Sequence, residues 1–446
     1  MLDRATEFFK SGATRPLAER IEVLRRLHHW ILTNDAEICD ALYADLHKAP
    51  FETWATEIGV VVDELKYNVR HLPEWIKPER VRTNIKVAPA RGYKYPEPYG
   101  TALIMAPWNY PFMLTIDPLI AAIAAGNCAI LKPSNYSPHT SDVISKMVSE
   151  VFEPGHVSTV LGGRVENAAL LNQRFDIIFF TGSQTVGQVV LQAAAKFLTP
   201  VILELGGKSP CIVDNTADIR LAAKRIMWGK ILNAGQTCVA PDYVMAHEDI
   251  ADELVSHMVY WVKKFADDAL NNPDYPHIIN DANYNRIMGL IDDSKVVVGG
   301  KGDPATRAIE PTIMTGVTWN DAVMSMEIFG PVLPILTWSD PAEVIREVGE
   351  HPHPLSTYIF SRDPRAQRYF RTHIQFGGGC INDVVVQVGT ELPFGGLGHS
   401  GMSSYHGKAG FDAFTHYKSV LHRSEVDIPL RYPPYDRFKL EVMRRL

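Results

Sequence analysis

Nowhere does this chain run to eighteen apolar residues without a charge; its most apolar stretch, Ile116 to Leu131, contains Asp117 and Pro118. No membrane-spanning helix is therefore expected. The opening residues, Met1 to Glu7, lack the apolar core of a signal peptide, and the closing Arg437 to Leu446 stretch is amphipathic and too short to span. An excess of one charge is also missing. With 44 Lys and Arg against 51 Asp and Glu, the formal net charge of −7 offers no electrostatic footprint for nucleic acid or an anionic membrane. Cysteine is scarce and scattered: Cys39, Cys128, Cys211, Cys238 and Cys380 form no Cys-x-x-Cys pair. That pattern argues against a disulfide framework or a zinc site, and for a reducing, cytoplasmic setting. The sixteen histidines make no His-Glu-x-x-His or comparable arrangement, so no metal is expected. Internal repeats and low-complexity linkers are absent as well.

What is present describes an α/β protein. At 446 residues the chain is too long for a single core, while 46% apolar and 21% charged residues are ordinary for a soluble protein. Residues 1 to about 80 are helical in pattern, with Leu17, Ile21, Leu24, Leu27 and Ile31 at helical spacing and Pro73 and Pro78 closing the section. Residues 82–100, with alternating Ile85, Val87, Tyr93 and Tyr95, read as a hairpin. Strand-like runs at 101–105, 128–131, 157–161, 177–180 and 201–203 then alternate with helical stretches, which implies a doubly wound parallel sheet. A second α/β block spans about 207–382. The two blocks meet at Gly206-Gly207, and a ligand crevice is expected between them.

Two stretches carry the candidate chemistry. In Ile226–Asp242, apolar Ile226, Trp228, Ile231 and Leu232 suit a buried helix leading into the flexible Asn233-Ala-Gly-Gln-Thr237 run, which ends at Cys238. A thiol at a helix start or tight turn can be lowered in pKa and act as a nucleophile; a small buried hydrophobe is the alternative. Upstream, Glu204 lies inside an apolar strand-like run that ends in a glycine pair, with no basic neighbour in sequence. Such a carboxylate has a function or a partner from elsewhere in the fold. Ile177 to Gly187 reads as strand, Gly182-x-x-x-x-Gly187, helix, and can receive a pyrophosphate on its helix N-terminus or be a plain turn. Asn109, held between Pro107 and Pro111, can aim its amide into a crevice or cap the following helix. Lys132 ends a strand and Glu327 precedes one; a solvated charge and a cap are their alternatives. Cys380, the one rival nucleophile, has no accompanying carboxylate motif and reads as structural.

Glu204-Leu-Gly-Gly-Lys-Ser-Pro210 followed by Gly235-Gln-Thr-Cys238 resembles the signature pair of the aldehyde dehydrogenase superfamily. The likeness extends through Pro107–Phe112, Leu131–Ser134, Phe180–Ser183, Glu327–Pro331 and Leu392–Gly396, in the family's order and over most of the chain. Tyr110, Val239–Tyr243, Ser403–Gly407 and Arg431–Tyr435 are similar to its class 3, or fatty aldehyde, branch. The resemblance implies a doubly wound cofactor domain (1–206 without the 82–100 hairpin, plus part of 383–410) and a second α/β catalytic domain (207–382). It assigns 82–100 and 411–446 to a small β oligomerisation element of a homodimer. It implies catalysis by Cys238, Glu204 and Asn109, and NAD or NADP held by Lys132, Asn135, Gly182, Ser183, Gln184, Thr185, Val186, Gly187, Leu205, Glu327 and Phe329. Tyr110, Leu114, Trp228 and Phe394 are candidate walls for an apolar aliphatic or aromatic aldehyde, a small-molecule partner. Many family members carry glutamate where this chain has Asn135, so no strict preference for NAD over NADP is expected. A CoA-acylating enzyme, or a non-enzymatic interaction protein keeping the fold, are the alternatives; Glu204 argues against the first and the intact trio against the second.

Overall fold

The computed structural model describes residues 1–389 and 391–446. A six-stranded sheet runs in the order Gly401–Met402, Val201–Leu205, Ile177–Gly182, Thr101–Met105, Cys128–Lys132, Val157–Thr159. Its strands are parallel except for the antiparallel edge Gly401–Met402. The central strand shows why helices must cover both faces. Ala102 and Ile104 join one apolar cluster with the helices Met113–Ala125 and Pro138–Val151. Leu103 and Met105 join another, with Val190 and Ala193 of the helix Gln184–Ala195. Alternate side chains point to opposite faces, so an all-apolar strand needs cover on each. From Thr101–Met105 the chain winds outward to one side and then returns to pair Ile177–Gly182 on the other. Such a reversal opens a crevice at the carboxyl ends of the two flanking strands.

A second sheet has seven strands: Val296–Val298, Thr312–Met314, Val332–Trp338, Tyr243–His247, Pro210–Val213, Ser356–Phe360 and Gly378–Ile381, in that order. All are parallel apart from the edge strand Val296–Val298. No helix among the described residues is long and apolar enough to cross a membrane.

Two expectations are corrected. Pro73 does not close its helix, which runs Gly59–Trp75 with the proline inside its last turn. There the ring removes one backbone bond close to an end that already lacks partners. The 82–100 hairpin is part of a three-stranded antiparallel sheet: Glu79–Val81 precedes it, and Ala90–Pro98 pairs along its whole length with Thr415–Arg423. That second partner is distant in sequence, and local patterning carries no sign of it.

Candidate active site

Three loops converge on the crevice. The first, Ala106 to Phe112, leaves the central strand and leads into the helix Met113–Ala125. Asn109 does not cap that helix; Glu57 does, its Oε2 accepting the N–H groups of Phe112 at 2.9 Å and Met113 at 3.2 Å. The fully buried Glu57 is paired at 2.5 Å with the equally buried Lys48. Lys48 lies 4.2 Å over the Tyr110 ring and donates at 3.4 Å to the Asn109 carbonyl.

The second loop follows the helix Ile219–Ile231. Asn233 (φ 51°), Ala234 (φ 50°) and Gly235 (φ 73°) are all left-handed. Asparagine tolerates that region, alanine is strained in it, and Gly235 is obligatory because a Cβ would lie 2.2 Å from the Gly330 carbonyl oxygen. This coil carries the chain back over the first loop. Asn109 Nδ2 donates to the Gln236 carbonyl at 3.0 Å, and Asn233 Nδ2 donates to the Asn109 carbonyl at 2.8 Å. Cys238 therefore sits in a turn closed by Ala240 N–H on the Thr237 carbonyl at 2.9 Å, not at a helix start. The expectation of a lowered thiol pKa is not met either. Burial, then the charges of Glu327 and Glu204, push the Cys238 thiol up to about 12.

The third loop, Leu205 to Lys208, ends the strand that carries Glu204. Glu204 is 2% exposed, both carboxyl oxygens lack a hydrogen-bond partner among the described residues, and burial holds its pKa well above the carboxylate range. Across the crevice, half-buried Glu327 lies against Gly206 with its Oε1 unpartnered, and burial with the charge of Asp242 raises it to about 8. Its loop is pinned by Lys208, which donates to Asp242 at 2.5 Å and to the carbonyls of Val323 and Met326. Phe329 is left-handed (φ 48°) and meets Trp108 edge-on at 5.4 Å.

Two cavities meet at the thiol. The larger, 630 Å³, is lined by Asn109, Gly182, Ser183, Gln184, Thr185, Glu204, Leu205, Cys238, Glu327 and Phe329. The smaller, 450 Å³, is lined by Tyr110, Leu114, Trp228, Cys238 and Phe394 among mainly apolar side chains. Trp228 is 40% exposed and lines the smaller cavity, whereas Ile226 on the same helix is in the core. Lys132 and Asn135 line neither cavity. Lys132 is 3% exposed, its Nζ donating to the carbonyls of Gly162 at 2.6 Å and Pro133 at 2.8 Å. Asn135 is exposed and faces Gly163. Cys380 lines neither cavity and donates to Gln387 Oε1 at 3.0 Å. Sequence reasoning passed over Tyr405, which lines both cavities, and Glu52, which lines the smaller one. Tyr405 belonged to a stretch noted only for its resemblance; Glu52 carries no local signal.

The larger cavity fits a dinucleotide. Ser183 caps the helix Gln184–Ala195, its Oγ accepting from Val186 N–H at 3.4 Å. Gly187 lets that helix approach the sheet, since a Cβ would lie 2.7 Å from Leu205 Cδ2. The free N–H groups of such a terminus, at the carboxyl edge beside the sheet's reversal point, suit a pyrophosphate. The orphaned Glu327 Oε1 is an acceptor awaiting a hydroxyl.

Residues 1–420 match the model of the Aldehyde dehydrogenase family. The 4,4'-diaponeurosporen-aldehyde dehydrogenase of Staphylococcus aureus is 44% identical over 433 residues, covering 96% of this chain and 94% of that one. The dimeric NADP-preferring aldehyde dehydrogenase of Canis lupus familiaris is 41% identical, with 97% of each chain covered. The substrate-bound state of Staphylococcus aureus AldH superposes with a TM-score of 0.97 at 42% identity, over 99% of this chain and 97% of that one.

Proposed function

This chain belongs to the aldehyde dehydrogenase family and is an NAD(P)-dependent aldehyde dehydrogenase, and from that premise we propose how its own residues carry the reaction. Cys238 is the nucleophile. Its thiolate attacks the aldehyde carbon, giving a thiohemiacetal whose oxyanion is held by the Asn109 amide and the Cys238 backbone N–H. One Asn109 N–H is bonded to the Gln236 carbonyl, which orients the amide and leaves its second N–H to the substrate. NAD or NADP, which the Gly182 to Gly187 turn and Glu327 would hold, would supply the hydride acceptor for the thiohemiacetal carbon. Glu204 then takes a proton from water, whose oxygen displaces the thiolate from the resulting thioester and releases the carboxylic acid. The observation that carries this reading is the meeting of both cavities at Cys238, with Asn109 and Glu204 in the wall of the larger one.

Cofactor binding is assigned to the turn Gly182 to Gly187, to Leu205 and Phe329 at the crevice, and to Glu327, with Lys132 and Asn135 at the adenosine end. Lys132 already holds the Gly162 loop. The apolar wall of Tyr110, Leu114, Trp228 and Phe394 supports an aliphatic or aromatic substrate, as does the aldehyde in the name of the Staphylococcus aureus relative. A cofactor domain of 1–206, a catalytic domain of 207–382, a homodimer joined through 82–100 and 411–446, and a cytoplasmic setting complete the proposal. The canine relative is a dimeric aldehyde dehydrogenase by name, which supports the homodimer. The decisive experiment follows NAD(P)H formation, by the absorbance of the reduced nicotinamide, with a medium-chain aldehyde. Wild type should turn over and Cys238→Ala should not; normal turnover in Cys238→Ala would remove the nucleophile.

A further inference from the structure

The smaller cavity is mainly apolar, with Thr56, Thr237 and two tyrosines among its lining, and among the described residues one wall side chain is a carboxylic acid. Glu52, from the short helix Pro50–Thr53, shares the lining of this cavity with Leu114, Trp228, Ile231, Phe265 and Phe394. Its Oε1 accepts the Asn233 N–H at 2.7 Å, at the start of the left-handed coil that leads to Cys238. Among the described residues it makes no ion pair: the neighbouring cation, Lys48, is committed to Glu57 at 2.5 Å. An ionised carboxylate in such a wall keeps its charge comfortable only through water in the tunnel, and an alkyl chain displaces that water.

We propose that Glu52 determines which aldehyde chains the tunnel accepts: protonated, it lets a long alkyl chain lie along the wall, and ionised, it disfavours that chain. The switch falls in an accessible range. Burial pushes Glu52 up to about 7, opposed by Lys48 and the Asn233 N–H, with the Glu57 charge adding to the rise. Three other groups near it keep their charge state there. Tyr110 and Tyr275 are held well above the ordinary tyrosine range by burial, and the Cys238 thiol is at about 12. His47 stands behind Tyr275, bonded to its carbonyl at 3.1 Å. The cost of stripping water from the carboxylate applies to a chain long enough to fill the tunnel. It does not apply to acetaldehyde, whose single methyl leaves the wall wet.

This inference rests on reading Cys238 as nucleophile and the smaller cavity as the aldehyde tunnel. The test is the ratio of kcat/KM for octanal to kcat/KM for acetaldehyde, measured from about pH 6 to about pH 8.5. Ionisations that act on the chemistry itself, at Cys238, Glu204 or Glu327, affect both aldehydes and cancel in the ratio. In wild type the ratio should fall by about fivefold or more as pH rises. Glu52→Gln keeps an acceptor for the Asn233 N–H and has no charge, so its ratio should be flat. A flat ratio in wild type, or a Glu52→Gln ratio with the wild-type slope, overturns the proposal. Should Glu52→Gln not fold, the wild-type series still decides. Failure to oxidise either aldehyde would instead remove the proposed function.

Discussion

Cys238 stands among groups that oppose its ionisation, and this makes its reactivity informative. With the thiol at about 12 in the cofactor-free protein, its thiolate fraction should rise roughly tenfold per pH unit through neutral pH. Iodoacetamide alkylation should follow. Glu327 titrates at about 8, so its charge burdens the thiol mainly above that pH. Glu327→Gln should accordingly alkylate at the wild-type rate near pH 6.5 and several-fold faster near pH 9 (about one pKa unit of relief). Equal rates at both pH values would show that the charge does not reach the sulfur. Glu204 shares the problem: its raised pKa keeps it protonated where a base is needed. Steps that depend on it should quicken as pH rises above the ordinary carboxylate range. Glu204→Gln should give a burst of NAD(P)H, then slow turnover without that rise. Loss of the burst itself would move Glu204 to thiol activation. For the cofactor, buried Lys132 spends two of its three N–H groups on carbonyls and keeps one for the adenosine end, while exposed Asn135, unlike a glutamate there, brings no charge to repel a 2′-phosphate. The kcat/KM values for NAD and NADP should lie within roughly a hundredfold, about 2.7 kcal/mol. Asn135→Glu should cut NADP use more than NAD use; an unchanged ratio would place the choice elsewhere.

At the scale of elements, the site depends on a buried hub that touches no substrate. The Lys48–Glu57 pair joins the N-terminal helices to the Asn109 loop, and Asn233 joins that loop to the Cys238 turn. Glu57 comes from a π-helical turn, Trp54–Ile58, one extra residue that re-aims the side chain toward the start of the helix Met113–Ala125. Removing one member of a buried pair leaves the other uncompensated, so Lys48→Met should cost about 3–5 kcal/mol of stability. Denaturant unfolding would measure this. If the hub positions Asn109, then Lys48→Met should lower kcat/KM in wild type but add little in an Asn109→Ala background. Fully additive losses would reduce the pair to a purely structural role.

The whole chain leaves apolar surface that a single copy does not cover. Val426, Tyr435, Phe438 and Leu440 are more than half exposed in the terminal segment, and the helix Arg437–Arg445 buries none of its residues. Just before it, Thr415–Arg423 closes the three-stranded sheet. Sedimentation should give twice the chain's mass, and removal of residues 425–446 should shift that value toward one copy. A dimer unaffected by the truncation would move the interface away from this segment.

The alternation of short apolar runs with helical periods was enough to read a doubly wound sheet, because strand and helix periods are local properties of a chain. Cys238, the carboxylate Glu204 and the glycine turn at Gly182 to Gly187 could likewise be singled out locally, each a residue type in a setting that is costly without a purpose, and Cys238 and Glu204 line one cavity together. Three things were not legible. Glu52 and Tyr405 reach the site from helices and loops far from Cys238 in sequence, and nothing local marks a wall residue. The partner of Ala90–Pro98 lies more than three hundred residues on, since a strand's own pattern says which face is apolar but not which strand it will bond. The thiol's pKa was read with the wrong sign, because a turn suggests an electropositive setting. Only the folded chain brings Glu327 and Glu204 beside Cys238 and removes the water that would have screened them.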